Sequence, residues 1–178
     1  MQNQNVLIAL GGNLGDVPKT FQQALHLLEI VMKDCQMSPL YLSKAVYDKP
    51  GAIEPEQPAP NYINAVLRGK AELPPQDLLI YLLDVEKQLG RVRPAPECSP
   101  RTIDLDLLLY EDRIIMPQKD GDLELPHPRM HQRDFVLVPS CDVAPEWIHP
   151  VFKQSLRALC DAFLRSGNST VRMLHPQE

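Results

Sequence analysis

Asp104-Leu105-Asp106 lies inside an otherwise apolar run from Ile103 to Tyr110. Ile, Leu and Tyr at these positions predict a strand, and side chains two apart on a strand share a face. The two carboxylates therefore stand on one side, with their Cα atoms roughly 6–7 Å apart at the rise of an extended chain. A fold that packed both faces of this strand into a dry core would strand two charges there, at several kcal/mol each. One face must front solvent or a cation. A solvated edge strand is the simpler alternative, but Leu107-Leu108-Leu109 suits an interior position better. With oxygen ligands alone, the cation would be a hard divalent ion; Mg²⁺ commonly combines one or two carboxylates with phosphate oxygens.

At 178 residues the chain has room for one domain, 1–178, with a sizeable core. Its net charge of −5 argues against a nucleic-acid binder, whose footprint is basic. Locally, however, Arg91, Arg93 and Arg101 gather just before the paired aspartates. Cys35, Cys98, Cys141 and Cys160 form no Cys-x-x-Cys spacing and no zinc-ribbon pattern. Reduced thiols in a cytoplasm are expected, since no secretory segment opens the sequence and no apolar run reaches the length of a membrane span.

Asn5 to Leu10 is a short apolar run ending at Gly11-Gly12, which predicts a buried strand. Asp16 can cap a following helix with Pro18 in its first turn, and Phe21, Ala24, Leu25, Leu28, Val31 and Met32 form its apolar stripe. Tyr41 to Tyr47 is extended and leads into a loop holding Pro50, Pro55, Pro58 and Pro60. Tyr62 to Leu73 has strand character. Pro74-Pro75 opens a second helix with Leu78, Leu79, Leu82, Val85 and Leu89, closed by Gly90. A second Pro-containing loop, Arg91 to Pro100, precedes the aspartate strand. Glu111-Asp112 predicts a turn into a short partner strand through Ile114 and Ile115. A helix over Ser155 to Arg165 and a strand near Val171 complete the pattern. The order β-α-β-β-α-β is that of a ferredoxin-like α+β sandwich with both helices on one face and a C-terminal helix-and-strand extension.

Several residues have two readings. Arg101, at the entrance to the aspartate strand, is either an ordinary ion-pair partner or a bidentate phosphate ligand. Arg91 and Arg93 reach the same anion or face water. Gly11-Gly12-Asn13-Leu14-Gly15-Asp16 lacks the endings of a P-loop or a dinucleotide fingerprint, so a tight turn needing positive φ is preferred to a phosphate cradle. His127 and His131 are four apart, but Pro126 and Pro128 argue against the helix that would make them a metal pair. His127 can instead donate to a phosphate from a loop. Tyr62 and Asn64 share a strand face after the first Pro-rich loop. Tyr62 and Phe135 are either core aromatics or a stacking pair.

The segments Ala9-Leu10-Gly11-Gly12-Asn13-Leu14-Gly15-Asp16, Tyr62-Ile63-Asn64-Ala65, Gly90-Arg91-Val92-Arg93, Pro100-Arg101-Thr102-Ile103-Asp104-Leu105-Asp106 and Leu125-Pro126-His127-Pro128-Arg129-Met130 occur in this order. Together they make the chain resemble the hydroxymethyldihydropterin pyrophosphokinases of folate biosynthesis. The resemblance implies a ferredoxin-like fold and transfer of the β,γ-pyrophosphoryl group of ATP to 6-hydroxymethyl-7,8-dihydropterin, with release of AMP. It implies two Mg²⁺ ions on Asp104 and Asp106, and places Arg91 and Arg101 at the reacting phosphates. It further implies ATP contacts from Glu86, Arg93, His127 and Arg133. Tyr62 and Phe135 would sandwich the pterin, and Asn64 would bond its edge beside backbone groups of Asp48 to Ile53. A monomer is expected.

Two stretches depart from the family pattern. Glu97-Cys98-Ser99 replaces a basic residue, an aromatic and Gly, and Lys49-Pro50-Gly51-Ala52-Ile53 differs from the usual Thr-Pro-Pro style. Both lie in loops expected to close over the substrates. The competing classes are an inactive ferredoxin-like nucleotide- or ligand-binding module, an RNA-binding domain, and another two-metal enzyme such as a nucleotidyl transferase or phosphodiesterase. The RNA reading lacks an RNP1-like run and the basic charge.

Overall fold

The computed structural model describes residues 3–44, 60–92, 99–119, 122–167 and 169–175. Arg93, Glu97, Cys98 and the Asp48 to Ile53 loop lie outside the described residues.

Strand β1 (Gln4–Gly12) lies near the centre of an antiparallel sheet, between β5 (Asp104–Tyr110) and β4 (Tyr62–Ala71). β2 (Met32–Met37) and β3 (Tyr41–Ser43) pair with successive halves of β4, so together they act as one interrupted strand. Ser38 bridges the interruption: its N–H donates to the Val66 carbonyl at 2.9 Å and its Oγ accepts the Val66 N–H at 3.0 Å. β6 (Arg172–Met173) adds beyond β3. The order β5-β1-β4-β3-β6 contains the expected ferredoxin-like arrangement.

Helices α1 (Val17–Leu28) and α2 (Pro75–Gln88) cover one face, burying Phe21, Ala24, Leu28, Leu78, Leu82 and Val85 against Val6, Ile8, Leu10, Leu67, Leu105 and Leu107. Asp16 caps α1 as expected, accepting the Lys19 N–H at 3.1 Å. The apolar stripe nevertheless stops short of its predicted end. α1 closes at Leu28, and Met32 begins β2 instead of a last helical turn. β2 escapes sequence pattern because it is an edge strand with mostly solvent-facing side chains, a register shift between Lys33 and Gln36, and Asp34 at φ 53°.

The opposite face is covered by α3 (Asp134–Val143) and α4 (Leu156–Arg165), which bury Leu7, Val66, Leu108 and Leu109 together with Val136, Val143 and Leu156. α4 matches the expected helix, with Ser155 as its N-cap. α3 was not expected, because Pro139 lies inside it and the run Phe135-Val136-Leu137-Val138 shows no helical period. Beyond the Glu111-Asp112 turn, the expected partner strand reduces to one antiparallel bridge between Ile115 and Leu125. No helix among the described residues is long and apolar enough to cross a membrane.

His149 is buried in the segment that links α3 and α4, its Nδ1 accepting the N–H groups of Val151 and Phe152 at 3.3 Å each. Burial, aided by His131, lowers its pKa to about 4. The unfolded chain therefore binds the proton first as pH falls, so this histidine contributes stability that is present above pH 6.5 and lost toward pH 4. We predict that His149→Asn, which keeps an acceptor without titrating, flattens this part of the stability-versus-pH curve. Urea unfolding at pH 4.5 and 7 would measure the difference. Equal slopes in both proteins would rule the assignment out.

Candidate active site

On β5, Leu105 and Leu107 point into the α1/α2 core, which turns Asp104 and Asp106 to the other face. Strand register then sets what stands beside them. Asp104 pairs with Gly11, Gly11 with Asn64, and Asn64 with Tyr41, so these four form one row across the sheet. In the next row Asp106 pairs with Ala9, and Ala9 with Val66. β1 thus presents glycine and alanine between the aspartates and the amide of Asn64. The floor of the site has almost no side chain.

Asn64 is buried, and its Nδ2 donates to Ser43 Oγ at 3.0 Å and to the Tyr41 carbonyl at 3.4 Å. The amide is therefore held from the edge strand. Tyr62, two residues earlier on the same face, lies under Arg101, whose guanidinium carbon is 6.0 Å from the ring centroid.

Arg91 is placed by the end of α2. Gly90 adopts φ 86°, its N–H donates to the Lys87 carbonyl, and the Arg91 N–H donates to the Glu86 carbonyl at 3.0 Å. This is the Schellman turn, which sends the chain back over the last helical turn. The Arg91 guanidinium then bonds both Glu86 and Asp104. Arg101 bonds the other Asp104 oxygen at 2.7 Å. Glu86 itself is 1% exposed and also accepts the Leu105 N–H at 2.7 Å, so α2 is tied to β5 beside the aspartates.

The electrostatic result is asymmetric. Burial opposes ionisation of Asp104, but Arg91 and Arg101 outweigh it and hold its carboxyl below the usual range. Asp106 is pushed up to about 6 by burial and by the Asp104 charge, with Arg133 acting in the opposite sense.

Loops bring the remaining groups. β5 carries a bulge opposite Leu7/Ile8, and the Leu108 carbonyl accepts the His127 N–H at 2.9 Å. His127 Nδ1 accepts the Arg129 N–H at 3.2 Å, which leaves the ring proton on Nε2. Burial, with help from Arg133 and Arg129, lowers the His127 pKa to about 4, so it is a neutral donor at pH 7. His131 lies in a 3-10 turn, Met130–Gln132, and packs edge-on against Phe152. The two histidines are not a pair. Arg133 precedes α3, its guanidinium carbon 5.5 Å from the ring centroid of Phe135.

The tight turn expected of residues 11–16 is present, but only one of the three glycines there makes it. Gly11 and Gly12 are inside β1, and the positive φ, 76°, belongs to Gly15. A Cβ on Gly12 would lie 2.6 Å from the Thr102 carbonyl oxygen, so Gly12 is required by close approach. Asn13, unassigned by sequence reasoning, grips the same segment. Its N–H donates to the Arg101 carbonyl at 3.0 Å and its Oδ1 accepts the Arg101 N–H at 2.9 Å. The Gly-Gly-Asn string was its signal. Asp16 already occupies the amide end of α1, which leaves little for a phosphate there.

A family model described as 7,8-dihydro-6-hydroxymethylpterin-pyrophosphokinase (HPPK) matches residues 7–145, which span every residue of this cluster. The chain belongs to the HPPK family. It is 35% identical to the 2-amino-4-hydroxy-6-hydroxymethyldihydropteridine pyrophosphokinase of Aquifex aeolicus, over 85% of this chain and 88% of that protein. The protein of the same name from Porphyromonas gingivalis (strain W83) is 38% identical, with coverage of 82% and 93%. Among solved structures, Plasmodium falciparum HPPK-DHPS superposes with a TM-score of 0.74 at 16% identity, covering 92% of this chain and 45% of that one. That likeness speaks for the fold. The HPPK chain described here spans under half of that two-part protein.

Arg91 is the shared partner of a fully buried and a half-buried carboxylate in this HPPK. We predict that Arg91→Met lowers the unfolding free energy by about 3 kcal/mol, the usual cost of orphaning a buried charge. Adding Glu86→Gln should recover part of the loss, because it removes that charge. Urea denaturation of the three proteins tests this; an Arg91→Met variant as stable as the parent would refute it.

Proposed function

We propose that this pyrophosphokinase transfers the β,γ-pyrophosphoryl group of ATP to the hydroxymethyl oxygen of 6-hydroxymethyl-7,8-dihydropterin in folate biosynthesis, releasing AMP. The carrying observation is the row Asp104–Gly11–Asn64–Tyr41. It sets an arginine-bound carboxylate and a fixed amide on opposite sides of a bare strand. Phosphates would lie on the arginine side and a flat heterocycle on the amide side, with the reacting oxygen and phosphorus meeting over Gly11.

In this reading Arg91 and Arg101 bind phosphate oxygens, exchanging part of their hold on Asp104 for the substrate. Their positive charge stabilises the transferred group as its bond to the AMP oxygen breaks and the bond from the pterin oxygen forms. His127 donates its Nε2 proton to a phosphate oxygen, and Arg133 supports the same side; the family resemblance extends an ATP contact to Arg93. Glu86 acts on ATP through Arg91, since its carboxylate is buried beneath that guanidinium. Tyr62 and Phe135 flank the pterin and Asn64 bonds a donor on its edge through Oδ1, its Nδ2 protons being engaged by Ser43 Oγ and the Tyr41 carbonyl.

Asp104 and Asp106 fit a hard divalent cation, because they are an all-oxygen pair on one face; Arg91 and Arg101 bond Asp104, while burial and then the Asp104 charge raise the proton affinity of Asp106. Among the described residues no group of three or more His, Cys, Asp or Glu could hold a metal ion. Substrate phosphates would have to complete the coordination, as Mg²⁺ sites often require. Two Mg²⁺ ions bound with ATP would supply charge neutralisation and orientation of the phosphates. We also propose that the protein acts as one domain and as a monomer in the cytoplasm; Cys35, Cys141 and Cys160 as thiols are consistent with a reducing compartment.

Incubation with ATP, Mg²⁺ and the hydroxymethyl dihydropterin should yield AMP and a pterin diphosphate in equal amounts. Formation of ADP, or of free pyrophosphate with a nucleotidylated product, would defeat the proposal. Asp104→Asn and Asp106→Asn should each lower kcat about 100-fold or more while circular dichroism stays native. Chelation by EDTA should abolish turnover, and Mg²⁺ should restore it.

A further inference from the structure

Asp134, the first residue of α3, is a carboxylate 7% exposed whose acceptors are filled almost entirely from the far end of the sequence. Its Oδ2 accepts the N–H groups of Thr170 at 2.6 Å and Val171 at 3.0 Å, and the Ser169 hydroxyl at 3.1 Å. Its Oδ1 accepts the N–H of Phe135 at 2.8 Å. A carboxylate this buried is tolerated when such donors replace its water, and charge-assisted bonds of this kind are stronger than neutral ones.

The segment it grips continues into β6. Met173 pairs with Tyr41 and Arg172 with Leu42 on β3, and the Leu174 N–H donates to the Leu40 carbonyl at 2.8 Å. β3 in turn holds Asn64 through Ser43 Oγ and the Tyr41 carbonyl, while the Tyr41 hydroxyl donates to Asp142 on α3 at 2.8 Å. Bonds therefore run in a closed circuit from Phe135 through Asp134, residues 169–174 and β3 to Asn64, and back through Tyr41 to α3. Two of the three side chains assigned to the pterin lie on it. Asp104, Asp106, Arg91 and Arg101 do not.

We propose that Asp134 is a positioning residue that clasps the C-terminal segment and thereby fixes Phe135 and Asn64 relative to each other in the pterin pocket. This rests on the pterin role given to those two residues above. The circuit predicts a substrate-selective defect. Asp134→Asn removes the charge that collects the donors, and Thr170→Pro removes one donor from the other end. Each should raise KM for the dihydropterin about tenfold, through loss of preorganisation, with KM for ATP changed less than about twofold. The double variant should be little worse than either single, because both break one link.

The test is steady-state kinetics on the full chain with each substrate varied, alongside amide hydrogen exchange. Exchange of 169–174 and of β3 should accelerate together in Asp134→Asn. Should Asp134→Asn fail to fold, Thr170→Pro and Ser169→Ala carry the same comparison. Folded variants whose two KM values are unchanged, or rise in proportion, would overturn the clasp while leaving the enzyme's function standing. A wild-type protein inert toward the dihydropterin would overturn both.

Discussion

One guanidinium serves two carboxylates, and the site is arranged around that shortage of positive charge. Arg91 lies between Glu86 on α2 and Asp104 on β5, with Glu86 almost wholly out of solvent. Asp104 has Arg101 as a second partner, whereas Glu86, the more deeply buried acid, has its ion pair with Arg91. Because Glu86 also accepts the Leu105 N–H, the same ion pair sets the separation of the helix from the aspartate strand. The Schellman turn at Gly90 is what brings Arg91 back to this place, so a backbone feature at a helix end helps to set the charge state of the next strand in sequence.

Charge is then divided unevenly between two neighbouring acids. Asp104 has two arginines and stays ionised; Asp106, farther along the same face, is left with a raised proton affinity. A divalent cation arriving with a polyphosphate would relieve that imbalance, whereas a lysine or arginine added by the protein would have closed the site to it. The bare floor formed by Ala9 and Gly11 has a similar logic. Larger side chains there would fill the space between the carboxylates and Asn64, and a smaller sheet contact is accepted to keep it open.

Much of this was legible in sequence because it depends on local periodicity. Two aspartates at spacing two, the Pro-Pro opening and Gly closing of α2, Asp16 before α1 and Ser155 before α4 all act within a few residues, where spacing converts directly into direction. The misreadings have a common cause. β2 is an edge strand whose outward side chains carry no alternation, and α3 buries positions on more than one side because it packs between sheet and α4. In neither case does burial follow from the element's own pattern. Gly12 was misread for a related reason: its constraint comes from Thr102, ninety residues away.

By itself the sequence determined the β-α-β-β-α-β order of the main elements and the shared face of Asp104 and Asp106, since these follow from strand and helix periods. Tertiary structure alone decided which groups meet. Strand register set Asp104 and Asn64 across Gly11, the Gly90 turn delivered Arg91 to Glu86, and the C-terminal segment came to rest on Asp134. Contacts of that kind are long-range, and a chain's local pattern carries no information about which distant donor will satisfy a given buried acceptor.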